Sequence, residues 1–115
     1  MPSGIDMVEQ ALLGTLLVAP HLVSRCDSLT GVSFSEPLRG RVFDEIKELG
    51  EFADANMLVL QLEAKNVRPP QGHWWGEMVG RMLEKYFVDD DAVDVYVARI
   101  LEASIERRME NRNKW

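Results

Sequence analysis

A chain of 115 residues, 46% apolar and 28% charged, is the size of one domain that buries roughly two-thirds of its unfolded surface. Its net charge of −6 argues against nucleic-acid binding as its main business, because phosphate contacts need clustered Lys and Arg. There is no apolar run of about eighteen residues for a membrane span and no secretory signal in MPSGIDMVEQ, and the single Cys26 fits a reducing cytoplasm.

Asp6 followed by Glu9 has the form of a capping box, with Ile5 just before it. Val8, Leu12, Leu13, Leu16 and Leu17 then make an apolar ridge at helical spacing, ended by Ala19-Pro20. Gly14 suggests close approach of another helix. From His21 to Leu29 a short helix sets Leu22, Val23, Cys26 and Leu29 on one side, and Thr30-Gly31 ends it.

Phe34 to Asn66 reads as two amphipathic helices. Pro37 suits a first turn, where its missing N–H has no partner to lose. Leu38, Val42, Ile46 and Leu49 recur on one face, widened by Phe43, and Gly50 stands where a left-handed residue closes a helix. Asp54 caps the next helix, whose stripe is Met57, Leu58 and Leu62 with Val59 and Leu60 less central. Asn66 and Pro69-Pro70 stop it.

Gly72 to Phe87 carries Trp74, Trp75, Met78, Val79, Met82, Leu83, Tyr86 and Phe87, a stripe wider than one core face requires. Val88 to Asp91 turns the chain, and so short a loop predicts an antiparallel helical hairpin. The last helix sets Val93, Tyr96, Val97, Ile100, Leu101 and Ile105 on one side and ends in a basic tail of Arg107, Arg108, Arg112 and Lys114. Strand signals are scarce, so the chain reads as all-α. Six helices are expected near 6–18, 20–29, 36–49, 54–66, 72–87 and 91–112.

Three segments resemble the N-terminal domain of DnaB-type replicative helicases. The run D-x-x-E-Q-A-L-L-G-x-L-L from Asp6 is similar to the family's opening E-A-E-Q-x-V-L-G-x-L-L. Phe34, Pro37, Phe43, Ile46, Gly50-Glu51, Asp54, Leu62 and Glu63 share the family's register. Y-V-A-R-I-L from Tyr96 resembles its Y-A-R-I-V. Departures fall at Ala19, where the family has Asp; at Arg39-Gly40, where it often has His-Arg; and at Gly72–Gly76. A Gly inside a helix costs roughly 1 kcal/mol against Ala. The resemblance spans Asp6 to about Met109.

Residues able to do chemistry are few. No glycine here opens a G-x-x-x-x-G-K-[ST] loop, so no ATP hydrolysis is expected. His21 and Cys26, five apart, share no helix face, and His73 is distant, so these three read as surface imidazoles and a core thiol rather than metal ligands or a catalytic pair. Asp89-Asp90-Asp91 reads as a cap for the last helix, with no bidentate Glu to complete a calcium loop. The basic tail reads as a solvated helix end, with contact to a partner or DNA as the alternative. For the Trp74–Phe87 stripe, core and interface are both open on the residues alone.

The resemblance implies an interface, since DnaB-type helicases pair subunits through the last two helices of this domain, forming a ring collar that also receives primase. It implies an all-α domain over 1–115: a compact orthogonal bundle of about four helices over 1–70, then the antiparallel two-helix hairpin over 71–115. The function implied is protein–protein interaction in DNA replication, with self-pairing, primase or loader docking, cytoplasmic location, weak or no DNA binding, no enzyme activity and no cofactor or metal. Trp74, Trp75, Met78, Met82, Tyr86, Phe87, Tyr96 and Ile100 are the expected self-association residues. The alternatives are a free-standing phage or plasmid adaptor of the same fold that binds a replication protein, or a small enzyme using Cys26 and a histidine.

Overall fold

The computed structural model describes residues 4–85 and 89–113. Five α-helices run in order: α1 (Gly4–Val18), α2 (Pro37–Leu49), α3 (Ala55–Ala64), α4 (Trp75–Lys85) and α5 (Val93–Asn113). Short 3₁₀ segments lie at Pro20–Cys26, Gly31–Ser33, Gly50–Phe52 and Asp90–Ala92, and no strand occurs among the described residues. The all-α architecture expected from the residue pattern is what forms.

Helix α1 is the axis of the bundle. Every residue from Ala11 to Leu17 is buried, so α1 is enclosed around its circumference rather than along one ridge. It packs against α2, α4 and α5 and the Pro20–Cys26 segment. Thr15, in the middle of this dry stretch, returns its hydroxyl to the Ala11 carbonyl at 2.8 Å, so its burial leaves no polar atom unpaired. One apolar cluster includes Leu12, Leu16, Phe43, Leu62, Trp75, Val79, Val97 and Ile100, taking side chains from both sides of residue 70. The last two helices are thus held to the body chiefly through α1, with α4 also on α3 and α5 also on the two 3₁₀ segments before α2.

Several local signals act as written. Pro37 occupies the first turn of α2; Gly50 closes it at φ 58°, with its N–H on the Ile46 carbonyl. Asp54 accepts the Met57 N–H at 2.7 Å, and Asn66 takes φ 56° past the end of α3. Val42, Phe43 and Ile46 face the core, where the Phe34 and Phe43 rings meet at 4.8 Å between centroids.

Four local expectations are corrected. The second helix is a 3₁₀ segment, not an α-helix. Ala19 supplies no side-chain cap before Pro20, and i→i+3 bonds such as Leu22 N–H to Ala19 O at 3.0 Å close the turns. Its apolar side was read correctly: Leu22, Val23, Cys26 and Leu29 are buried. Asp6 and Glu9 are not a capping box, since α1 already begins at Gly4 and their carboxylates turn to α2. Met57 and Leu60 of α3 are exposed, because of that stripe Leu58 and Leu62 enter the core and Val59 packs at its edge. Helix α4 begins at Trp75, three residues late, the Trp75 indole N–H reaching back to the Val67 carbonyl at 2.7 Å.

Gly40, costly in an isolated helix, is explained by backbone contact. A Cβ there would lie 2.1 Å from the Gly31 carbonyl oxygen, and one on Gly31 would lie 2.8 Å from the Gly40 carbonyl. The Gly31 N–H also donates to Asp44 Oδ1 at 2.9 Å, so the 3₁₀ turn is seated directly on α2. Gly40→Ala should therefore destabilise the fold by about 1–3 kcal/mol, although Ala is the better helix former. Chemical denaturation followed by circular dichroism reads the sign; a stabilised variant would mean that the contact yields freely.

Candidate functional site

Cys26 and the histidines do not assemble a reactive centre. Cys26 is fully buried in the core, its Sγ 3.8 Å from the Leu22 carbonyl, and burial pushes its thiol up to about 11. Such a thiol is almost wholly protonated near neutrality and a poor nucleophile. His21 and His73 lie at the surface. Among the described residues no three His, Cys or carboxylate groups are placed to hold a metal ion.

Two charged clusters staple the bundle instead. In the first, Glu9 is fully buried on α1 and faces Arg39 of α2. Arg39 Nε donates to Glu9 Oε1 at 2.8 Å, its Nη2 to Asp6 Oδ1, and its Nη1 to Glu36 Oε2 at 3.2 Å. Ser35 completes the site, its N–H on Glu9 Oε2 at 2.8 Å and its hydroxyl on Glu9 Oε1 at 2.9 Å. Burial pulls the Arg39 guanidinium down, but its bond to Glu9 and the nearby Glu9, Asp6 and Glu36 charges outweigh that and raise it above its ordinary value. The signal for this cluster was in the sequence. Glu9 stands three and four residues before Leu12 and Leu13, on the apolar side of α1, where a carboxylate requires a partner.

The second cluster joins α2 to α3. Glu45 is buried and takes Gln61 Nε2 at 3.0 Å and Lys65 Nζ at 2.6 Å, with Arg41 Nε at 3.5 Å. Lys65 also pairs with Glu48. Burial by itself raises the Glu45 carboxyl; the bonds from Lys65 and Gln61 win and hold it below the ordinary 4.5. The signal again was position, since Glu45 shares the face of Val42, Ile46 and Leu49.

The expected self-association residues separate into three groups. Trp75 and Ile100 are core residues of this chain, wedged into the cluster around α1, and present nothing to a partner. Their assignment to an outward surface is corrected: the stripe on α4 is wide because two of its residues, Trp75 and Val79, fill the interior while others flank it. Met78 and Met82 are half-buried and line a groove of about 340 Å³ with Leu38, Val42, His73 and Arg81. Trp74 is 65% exposed and Tyr96 half-buried. Tyr86 and Phe87 lie outside the described residues.

A surface missed at first lies on α5. Its inner line runs Val93, Val97, Ile100 and Ser104, all buried, and the next position on that line is Arg107 rather than Ile105. Ile105, expected inside, is 48% exposed; with Val95 at 60% and Met109 at 59% it forms an outer apolar stripe. Val95, Ala98, Glu102, Ile105 and Met109 follow alternate steps of three and four, the seam of a coiled-coil-like contact. Arg99 lies 3.7 Å from Glu102, so the carboxylate on the seam carries its own cation.

No protein-family model matches the sequence, and no curated protein matches it. In structure the chain is similar to the N-terminal domain of DnaB helicase from Mycobacterium tuberculosis. The TM-score is 0.83 and the identity 20%, over 95% of this chain and 79% of that one. At that identity the likeness is one of fold, and the fold is the one that the three resembling segments implied.

Arg39→Met strips the buried Glu9 carboxylate of its cation and should cost about 3 kcal/mol, read as a lowered urea midpoint. An unchanged midpoint would show that Ser35 alone suffices for Glu9. For Glu45 the folded-state value is depressed, so its contribution is present above the unfolded value and lost as pH falls through 4.5 and below. Glu45→Gln should be less stable than wild type at about pH 7, and the gap should close at about pH 3. A gap that persists in acid would mean that packing, not charge, holds α2 to α3.

Proposed function

We propose that this chain is a protein–protein interaction domain of the DnaB N-terminal type, part of a replicative helicase or a free-standing relative of one. Its work is binding: it pairs with a second copy of itself through the outer face of α5. The observation that carries this reading is the exposed Val95–Ile105–Met109 stripe, which repeats at seam spacing along a helix whose opposite face is buried from Val93 to Ser104. A free-standing domain gains little by exposing such a seam, whereas two copies can cover it at once. The fold likeness supports the same reading, and the sequence offers no phosphate-cradling loop to suggest catalysis. In a longer parent, ring assembly and docking of a primase or loader would use this face or the Met78–Met82 groove.

Ile105→Asp tests the proposal, because Ile105 is half exposed and its replacement leaves the core intact. A carboxylate buried in the paired seam costs several kcal/mol, enough to dissociate a micromolar dimer held by about 8 kcal/mol. Light scattering over a concentration series should show a wild-type dimer and a monomeric variant of unchanged helicity. Met82→Asp, at a position packed against the core, should instead lower helicity and melting temperature. A wild-type protein monomeric at every concentration, or a variant that still pairs, would overturn the reading.

A further inference from the structure

Arg107 takes the position on the inner line of α5 where the spacing calls for an apolar residue. Its Nη2 donates to the Ser33 carbonyl at 2.9 Å across a separation of 74 residues, in a part-buried contact. Ser33 is itself buried and lies in the turn between Thr30 and Ser35, to which α1, α2 and α5 are each bonded. Asp44 of α2 holds the Gly31 N–H at 2.9 Å, Glu9 of α1 holds the Ser35 N–H at 2.8 Å, and Arg107 brings in α5. Arg108, Met109 and Glu110, the described side chains beyond it, are all exposed.

We propose that Arg107 is a latch, a positioning residue that ties the C-terminal half of α5 to the Thr30–Ser35 turn and so sets the direction in which the helix leaves the body. The apolar residues packed against the core end at Leu101, and Ser104 is the last buried side chain among those described, so beyond them this bond does the work that packing does earlier. Ile105 and Met109 flank Arg107 on the opposite side of the helix, and the direction fixed by the latch is the direction in which they face outward. The latch itself is independent of any partner; its consequence for pairing rests on the self-association reading above. If pairing holds α5 in its latched direction, linkage requires that it also steady the turn, since the two ends of one bond share one equilibrium.

Hydrogen exchange on monomeric protein, at low concentration, tests the latch directly. The Ser33 N–H bonds Thr30 O at 2.9 Å and the Phe34 N–H bonds Gly31 O at 3.2 Å, so both amides report opening of the turn. Arg107→Ala should speed their exchange about tenfold, with core amides of α1 unchanged, and Arg107→Lys should restore part of the protection. Unchanged exchange at Ser33 and Phe34, or equal acceleration throughout the chain, overturns the latch. A second arm reads the coupling: on raising the wild-type concentration to the paired state, the same two amides should slow, and in Arg107→Ala they should not. Pairing without that slowing overturns the coupling while self-association stands. Absence of pairing defeats the functional reading, and the monomer experiment still decides the latch.

Discussion

The structure depends on the enclosure of α1. Seven consecutive buried residues, Ala11 to Leu17, leave that helix no solvent face along half its length. Helices α2, α4 and α5 are arranged as the walls that this requires, and the Pro20–Cys26 segment closes what remains. The same constraint explains why Trp75 and Ile100, from distant parts of the chain, end in one cluster. It also explains the Glu9–Arg39 cluster. A helix so deeply set can keep a carboxylate near its start only if a neighbour brings a cation and donors to it, and Arg39 with Ser35 does so.

Much of the fold was legible because its signals are local. Pro37, Gly50, Asp54 and Asn66 act within one helical turn of themselves, and each is found in the role that its chemistry suits. The apolar positions of α2 were legible for the same reason. What failed was whatever depended on a distant partner. Asp6-x-x-Glu9 is the same string whether Glu9 turns back on its own helix start or reaches Arg39, and nothing nearby decides between them. Gly40 looked like a flaw until the Gly31 backbone was set against it. The 3₁₀ turns of Pro20–Cys26 place the same side chains inward as an α-helix would, so the pattern of apolar residues could not separate the two.

The surface was the least legible part, and α5 shows why. Ile105 was placed inside by a count that drifts: inner positions at steps of four, three and four reach Ser104 and then Arg107, not Ile105. A helix with apolar residues on two faces defeats a one-face reading, because the periodicity of the core and of the outer seam are superposed on one string. The wide stripe on α4 invited the opposite error. Its residues alone left core and interface both open and the resemblance favoured an outward patch, whereas Trp75 and Val79 are core. Fold likeness at 20% identity fits this picture, since enclosure of one helix by others constrains volume and polarity at each position more than residue identity.

The burial of α1 has a consequence for how the protein is made. Synthesis proceeds from the N-terminus, so within this domain the most deeply buried helix emerges before the helices that cover it. When Arg39 has left the ribosome, the Glu9 cluster can already clamp α2 against α1. The flanks of α1 that later meet Val79 and Ile100 stay open until α4 and α5 follow, some sixty residues on for Ile100. Through that interval Leu12, Leu13 and Leu16 form a greasy surface on a half-made chain. The nascent domain is therefore a natural client for whatever shields apolar segments during translation, and its release waits on the last helix.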